Sequence, residues 1–145
     1  MSKKINSLTL VLLLVSVVAQ ISLADTVNID PHKIILNDST KNDTIQASIP
    51  MQISSTISNF NATISFNGKG EIKATSYKYC NVDDMLHIYF DKEEVVKFLS
   101  DNNISGQVTA SVSGSLMDGD KSVTFSGDDK IEVVEPKEDT RYRKN

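Results

Sequence analysis

The side chains best suited to chemistry in this chain are few: His32, His87 and Cys80, set among 19 carboxylates. A nucleophile or carboxylate in a motif with a histidine would read as covalent or general acid–base catalysis, and neither histidine stands in one. No glycine-rich phosphate loop and no zinc spacing occurs in the sequence. Cys80 would need a base nearby and a lowered pKa to attack a substrate. Its parity with Ile72, Ala74 and Ser76 predicts a buried, inert thiol instead. As the only cysteine it permits no internal disulfide, so the core alone must hold the fold. A non-enzyme is expected.

Binding chemistry has more to work with. Tyr77 and Tyr79 share one parity of a strand predicted from Glu71 to Tyr79, and Met85, His87 and Tyr89 share the outward parity of the next. Pairing of those strands would gather Tyr77, Tyr79, His87 and Tyr89 into one exposed face, suited to sugar rings or a protein partner. Cross-strand packing that only stabilises the sheet would leave the same pattern. Calcium needs six to eight oxygens, and two carboxylate sets are candidates: Asp83, Asp84 and Asp91, or Asp118, Asp120, Asp128 and Asp129. Aspartate also populates turns for its local hydrogen bonding. No other cofactor is expected. Asn37, Asn42, Asn61 and Asn103 each begin an Asn-x-Ser/Thr acceptor for N-glycosylation.

The elements that carry these residues read as strands. Ile45, Ala47, Ile49, Met51 and Ile53 alternate with polar residues, and Pro50 makes that run an edge strand or two shorter ones. Phe60 to Phe66, Leu86 to Phe90, Val108 to Leu116, Val123 with Phe125, and Ile131 with Val133 alternate in the same way. This period of two places one face on a core and the other in water. Asn67-Gly68-Lys69-Gly70, Asp118-Gly119 and Gly127-Asp128-Asp129 are the expected turns. Asp91 to Leu99 departs from the pattern. Its apolar positions 95, 96 and 99, its N-cap aspartate and the acidic Glu93 and Glu94 predict a short helix crossing between sheets and ended by Asn102-Asn103.

Residues 1–24 have the order of a secretory leader: Lys3 and Lys4, an apolar run from Leu8, then Ser22-Leu23-Ala24 before the expected cleavage. An uncleaved anchor is the alternative, its 17 residues short of the ~20 that span a bilayer. The remaining 121 residues suit one domain. Net charge is −4 for the whole chain, and near 13 − 19 = −6 without the leader. That balance, with no basic stripe, argues against nucleic acid as a partner. No later apolar run is long enough to span a membrane, and 136–145 reads as a disordered charged tail.

Val27-Asn28-Ile29-Asp30-Pro31, Ile34-Ile35-Leu36-Asn37, Leu86 to Val95, Val108 to Gly119 and Phe125 to Val134 together resemble a small extracellular β-sandwich domain. This domain recurs in archaeal and some bacterial secreted and surface proteins, in the cohesin-like and immunoglobulin-like neighbourhood. The resemblance implies fold more than function. It also implies an Asp- and Gly-rich, calcium-site-like loop before the strand at Met85, of which only Asp83 and Asp84 are present.

The expected fold is therefore all-β: an antiparallel sandwich of seven or eight strands with Greek-key connections over 25–135, and one helix near 92–99. The expected role is that of a secreted or cell-surface protein in adhesion, envelope structure or recognition. Its partner would be a surface protein or a glycan. Carbohydrate binding through the aromatic face and self-assembly by strand addition from 25–36 are the alternatives. The oligomeric state stays open.

Overall fold

The computed structural model describes residues 20–24 as backbone, and 26–37 and 43–136 in full. The leader up to residue 19, Asn42 and the tail from residue 137 lie outside the described residues.

Ten strands among the described residues form two sheets. In chain order they are β1 (Gln20–Ala24), β2 (Asn28–Asp30), β3 (Lys33–Ile35), β4 (Thr44–Pro50), β5 (Ile57–Phe66), β6 (Lys69–Lys73), β7 (Ser76–Cys80) and β8 (Met85–Asp91). The helix α1 (Lys92–Asp101) follows, then β9 (Gly106–Asp118) and β10 (Lys121–Val134). The larger sheet runs β1-β10-β9-β5-β6, with β3 also on β10; the smaller runs β2-β4-β8-β7. Between them lies one cluster of buried side chains, with Ile29, Ile45, Ile64, Phe66, Leu86, Ile88 and Phe90 fully buried. These fall on the parities the alternation predicts, because a pleated strand buries every second residue against the facing sheet.

The α1 segment forms as its sequence requires. The Asp91 carboxylate accepts from the Glu93 and Glu94 amides at 2.9 and 3.4 Å, meeting two of the free donors of the first turn. Val95 and Leu99 are buried, and the Asn102 amide closes on the Phe98 carbonyl. The helix carries the chain from the smaller sheet to the larger. It runs two residues past Leu99, to Asp101.

Four expectations need correction. The sandwich is not wholly antiparallel: β1 and β3 both join β10 in parallel. β4 is an interior strand between β2 and β8, and Pro50 stands at its end, where the ladder stops. Gly127-Asp128-Asp129 is not a turn; β10 continues through it, paired with Val112, Ser111 and Ala110 of the equally long β9. The predicted strand from Glu71 to Tyr79 is two strands in different sheets. The Ala74 amide bonds the Ala62 carbonyl in the larger sheet, and the next amide, Thr75, bonds the Tyr89 carbonyl in the smaller.

β1 lies within the segment expected as a leader. Its backbone pairs Gln20–Ala24 with Ser122–Ser126. No helix among the described residues is long and apolar enough to cross a membrane.

Candidate functional site

The crossing at Ala74 and Thr75 decides where the aromatic residues go. It resets the alternation, so Tyr77 pairs with Ile88 and Tyr79 with Leu86. Directly paired residues of an antiparallel ladder share a face. Tyr77 and Tyr79 therefore lie on the core side, with Leu86 and Ile88, while His87 and Tyr89 lie on the other. The single patch of Tyr77, Tyr79, His87 and Tyr89 is not formed. Tyr77 closes the seam between sheets, its ring stacked on Phe60 with centroids 4.2 Å apart. Phe60 in turn stacks on Phe125 at 6.2 Å.

Tyr79 ties two loops together. Its hydroxyl donates to Asp84 Oδ1 at 3.0 Å and accepts from the Ile53 amide at 3.1 Å. The Ile53 amide favours the phenolate and pulls the pKa down. Desolvation, the Asp84 carboxylate that takes the phenol proton, and the Asp84 and Asp118 charges outweigh it, and the group titrates above its ordinary 10.0.

On the outer face of the smaller sheet, His87 stands opposite Ser48. The Ser48 hydroxyl lies 2.8 Å from His87 Nδ1, and Gln46 Nε2 reaches both the ring at 3.1 Å and the hydroxyl at 3.0 Å. A serine and a histidine at this distance match a nucleophile and its base. Here the same nitrogen also meets an amide donor, and Ser48 is only 6 % exposed. The trio acts as a cross-strand clasp.

The carboxylates proposed for calcium do not converge. Asp83 and Asp84 lie at the start of β8 and Asp91 at its end, roughly 20 Å away at the rise of a strand. Asp84 holds Tyr79, and Asp91 caps the helix. In the second set, Asp118 accepts from the Ser54 and Ser55 amides at 3.1 and 2.7 Å, fixing the loop between β4 and β5. Asp129 sits well along β10, away from that turn. It takes the Ile29 amide at 2.8 Å on one oxygen and the Lys130 amide at 2.9 Å on the other, with His32 Nε2 3.2 Å away. No group of three metal-binding side chains occurs among the described residues.

Beside His32 a groove of about 610 Å³ opens, lined by Gly106, Gln107, Lys130, Ile131 and Glu132. The parity of the sequence offered no signal for it, since Gly106 and His32 are far apart in the chain. Of the glycosylation acceptors, Asn37, Asn61 and Asn103 are exposed. Asn61 Nδ2 donates to Ser115 Oγ at 3.0 Å, and Asn103 holds a left-handed backbone, φ 53°, just past the helix. Cys80 is half-buried at the end of β7, less enclosed than expected.

No family model matches the chain, and neither a curated protein nor a solved structure matches it.

Proposed function

We propose that this chain is a secreted or cell-surface, non-catalytic β-sandwich of the immunoglobulin-like or cohesin-like kind. It is released by cleavage after Ala24 and acts through contact in adhesion, envelope structure or recognition. One observation carries this reading: the acidic groups richest in chemical promise are committed to backbone amides. Asp91 holds the helix start, Asp118 the Ser54–Ser55 loop and Asp129 the Ile29 strand. Of these, Asp118 stiffens a loop at the end of the sandwich, the kind of support that a presenting surface uses. The leader-like start and the exposed acceptors Asn37, Asn61 and Asn103 support export and glycosylation. A carbohydrate site built on all four aromatic residues has no such support, because the register parts them.

The test has two arms in cells that make the protein. Fractionation and intact mass should find the chain outside the cytosol, beginning at Asp25. Deletion of the chain should weaken attachment or the detergent resistance of the envelope. Recovery from cytosol with residues 1–24 attached would overturn the reading, as would normal attachment and envelope strength after deletion.

A further inference from the structure

The outer face of the smaller sheet carries three metal-binding donors side by side. Cys80 pairs with Met85 across β7 and β8, and His87 follows two residues further along β8. Paired residues share a face, as do alternate residues of one strand. Leu86 and Ile88, of the opposite parity, are fully buried. The thiol, the thioether and the imidazole therefore lie together on the side away from the core. Opposed Cβ atoms are about 5 Å apart, alternate residues about 7 Å and diagonal ones about 7–8 Å. All three side chains are half-buried and open to an ion from solvent. Histidines, cysteines and carboxylates by themselves form no group of three among the described residues; the methionine sulfur completes this one.

The imidazole is already held for such a role. Both of its contacts, to Ser48 Oγ at 2.8 Å and to Gln46 Nε2 at 3.1 Å, are made through Nδ1, which leaves Nε2 for a ligand. A metal at Nε2 needs the ring proton on Nδ1. Ser48 Oγ can accept that proton, and turning the Gln46 amide over brings its oxygen within the same reach. A hydrogen bond to one ring nitrogen fixes the tautomer and aims the other, and metal-bound histidines are regularly supported in this way.

The donor set chooses the metal. Thiolate and thioether are soft ligands and select Cu(I), and imidazole suits copper as well. Charge points the same way. One thiolate cancels the charge of a monovalent ion, so the bound centre is neutral beside Lys78, which pairs with His87 on the same face. A divalent ion would keep a net positive charge next to that ammonium, with no carboxylate grouped with Cys80 and His87 to offset it.

We infer that Cys80, Met85 and His87 form a Cu(I) site on the outer face of the smaller sheet, with Ser48 and Gln46 as positioning residues for the imidazole. On binding, the S–H bond of Cys80 is replaced by an S–Cu bond and its proton goes to water. The imidazole proton passes from Nε2 to Nδ1, and no electron moves. The site goes beyond the contact role proposed above and does not depend on it.

Titration of Cu(I) against the chelator bicinchoninate, under nitrogen and on the reduced protein as purified, tests it. One ion per chain should pass from the chelator to the protein, and Cys80→Ser should abolish the transfer. Met85→Leu keeps the side-chain volume and so the fold, yet should weaken Cu(I) at least about tenfold, as should His87→Gln. Ser48→Ala should weaken it too, and Ser48→Thr should restore it. Ag(I), a redox-inert stand-in, should move the methyl resonance of Met85 and leave that of Met117, in the other sheet, where it is. Should His87→Gln lose its circular dichroism, the Met85 substitution and the methyl shift still decide. Protein that takes no Cu(I) from the chelator overturns the site. Binding that needs Cys80 but is indifferent to Met85→Leu is that of a bare thiol and overturns it as well, as does one ion shared by two chains.

Discussion

Gly114 sits in the middle of β9, between Ala62 of β5 and Phe125 of β10. β5 is irregular there: its register slips between Ser58 and Asn61, and Asn59 takes φ 49°. The slip brings the Asn61 carbonyl over Gly114. A Cβ at 114 would collide with that oxygen, and it would lie 2.6 Å from Phe125 Cζ and 2.9 Å from Ala62 Cα. Two of the three obstacles are backbone, so no rotamer change relieves Gly114→Ala; β5 itself must shift. Overpacking of this kind costs about 1–3 kcal/mol. Displacing Phe125 from Phe60 adds about 0.5–1.5 kcal/mol. The less flexible unfolded chain offsets about 0.4–1 kcal/mol. The net loss is about 2–3 kcal/mol, or roughly 10 °C in Tm for a domain of this size. Urea and thermal unfolding followed by circular dichroism would measure it. Gly106→Ala is the control: φ is 82° and the space around it is open, so only backbone strain of about 1 kcal/mol is expected. A Gly114→Ala protein as stable as the parent would refute the close approach of β5 and β9.

Three other outcomes follow from the same geometry. Asp118→Ala frees the Ser54 and Ser55 amides; because both serines can turn to water, a loss of about 2 kcal/mol in urea unfolding is expected, with faster amide exchange confined to that loop. Asp91→Ala should cost about 1 kcal/mol, and Asp91→Asn or Asp91→Ser much less, since each can still cap the helix. Tyr79 titrates higher folded than unfolded, so its contribution is complete below pH ~10 and is lost as pH climbs from there through the raised folded value; Tyr79→Phe should remove that part of the alkaline decline in thermal stability.

The alternating pattern made much of the fold legible. Ile45 to Ile49, Ala62 to Phe66, Leu86 to Phe90 and Val108 to Val112 each bury the predicted parity, because a sheet with one wet face writes its register into every second residue. The helix was equally readable from Asp91 and its acidic first turn. What could not be read is what depends on a distant partner. Whether Gly127-Asp128-Asp129 bends or runs straight is settled by β9, which pairs through it. Asp129 then takes a core-side position, where the Ile29 amide, brought from 100 residues away, and the Lys130 amide meet its charge. The largest misreading, the four-residue aromatic face, came from assuming one strand where the chain changes sheets; a parity counted across such a crossing has the wrong sign. The tie between Tyr79, Asp84 and Ile53 left no local signature either, since it joins two loops.

The crossing has a mechanical side as well. Consecutive amides, Ala74 and Thr75, are anchored in opposite layers, so a single peptide unit stitches the two faces together. A load that tries to slide one layer over the other pulls on both anchors at once. Resistance to shear is thereby concentrated at one short seam, next to the Phe60–Tyr77 stack.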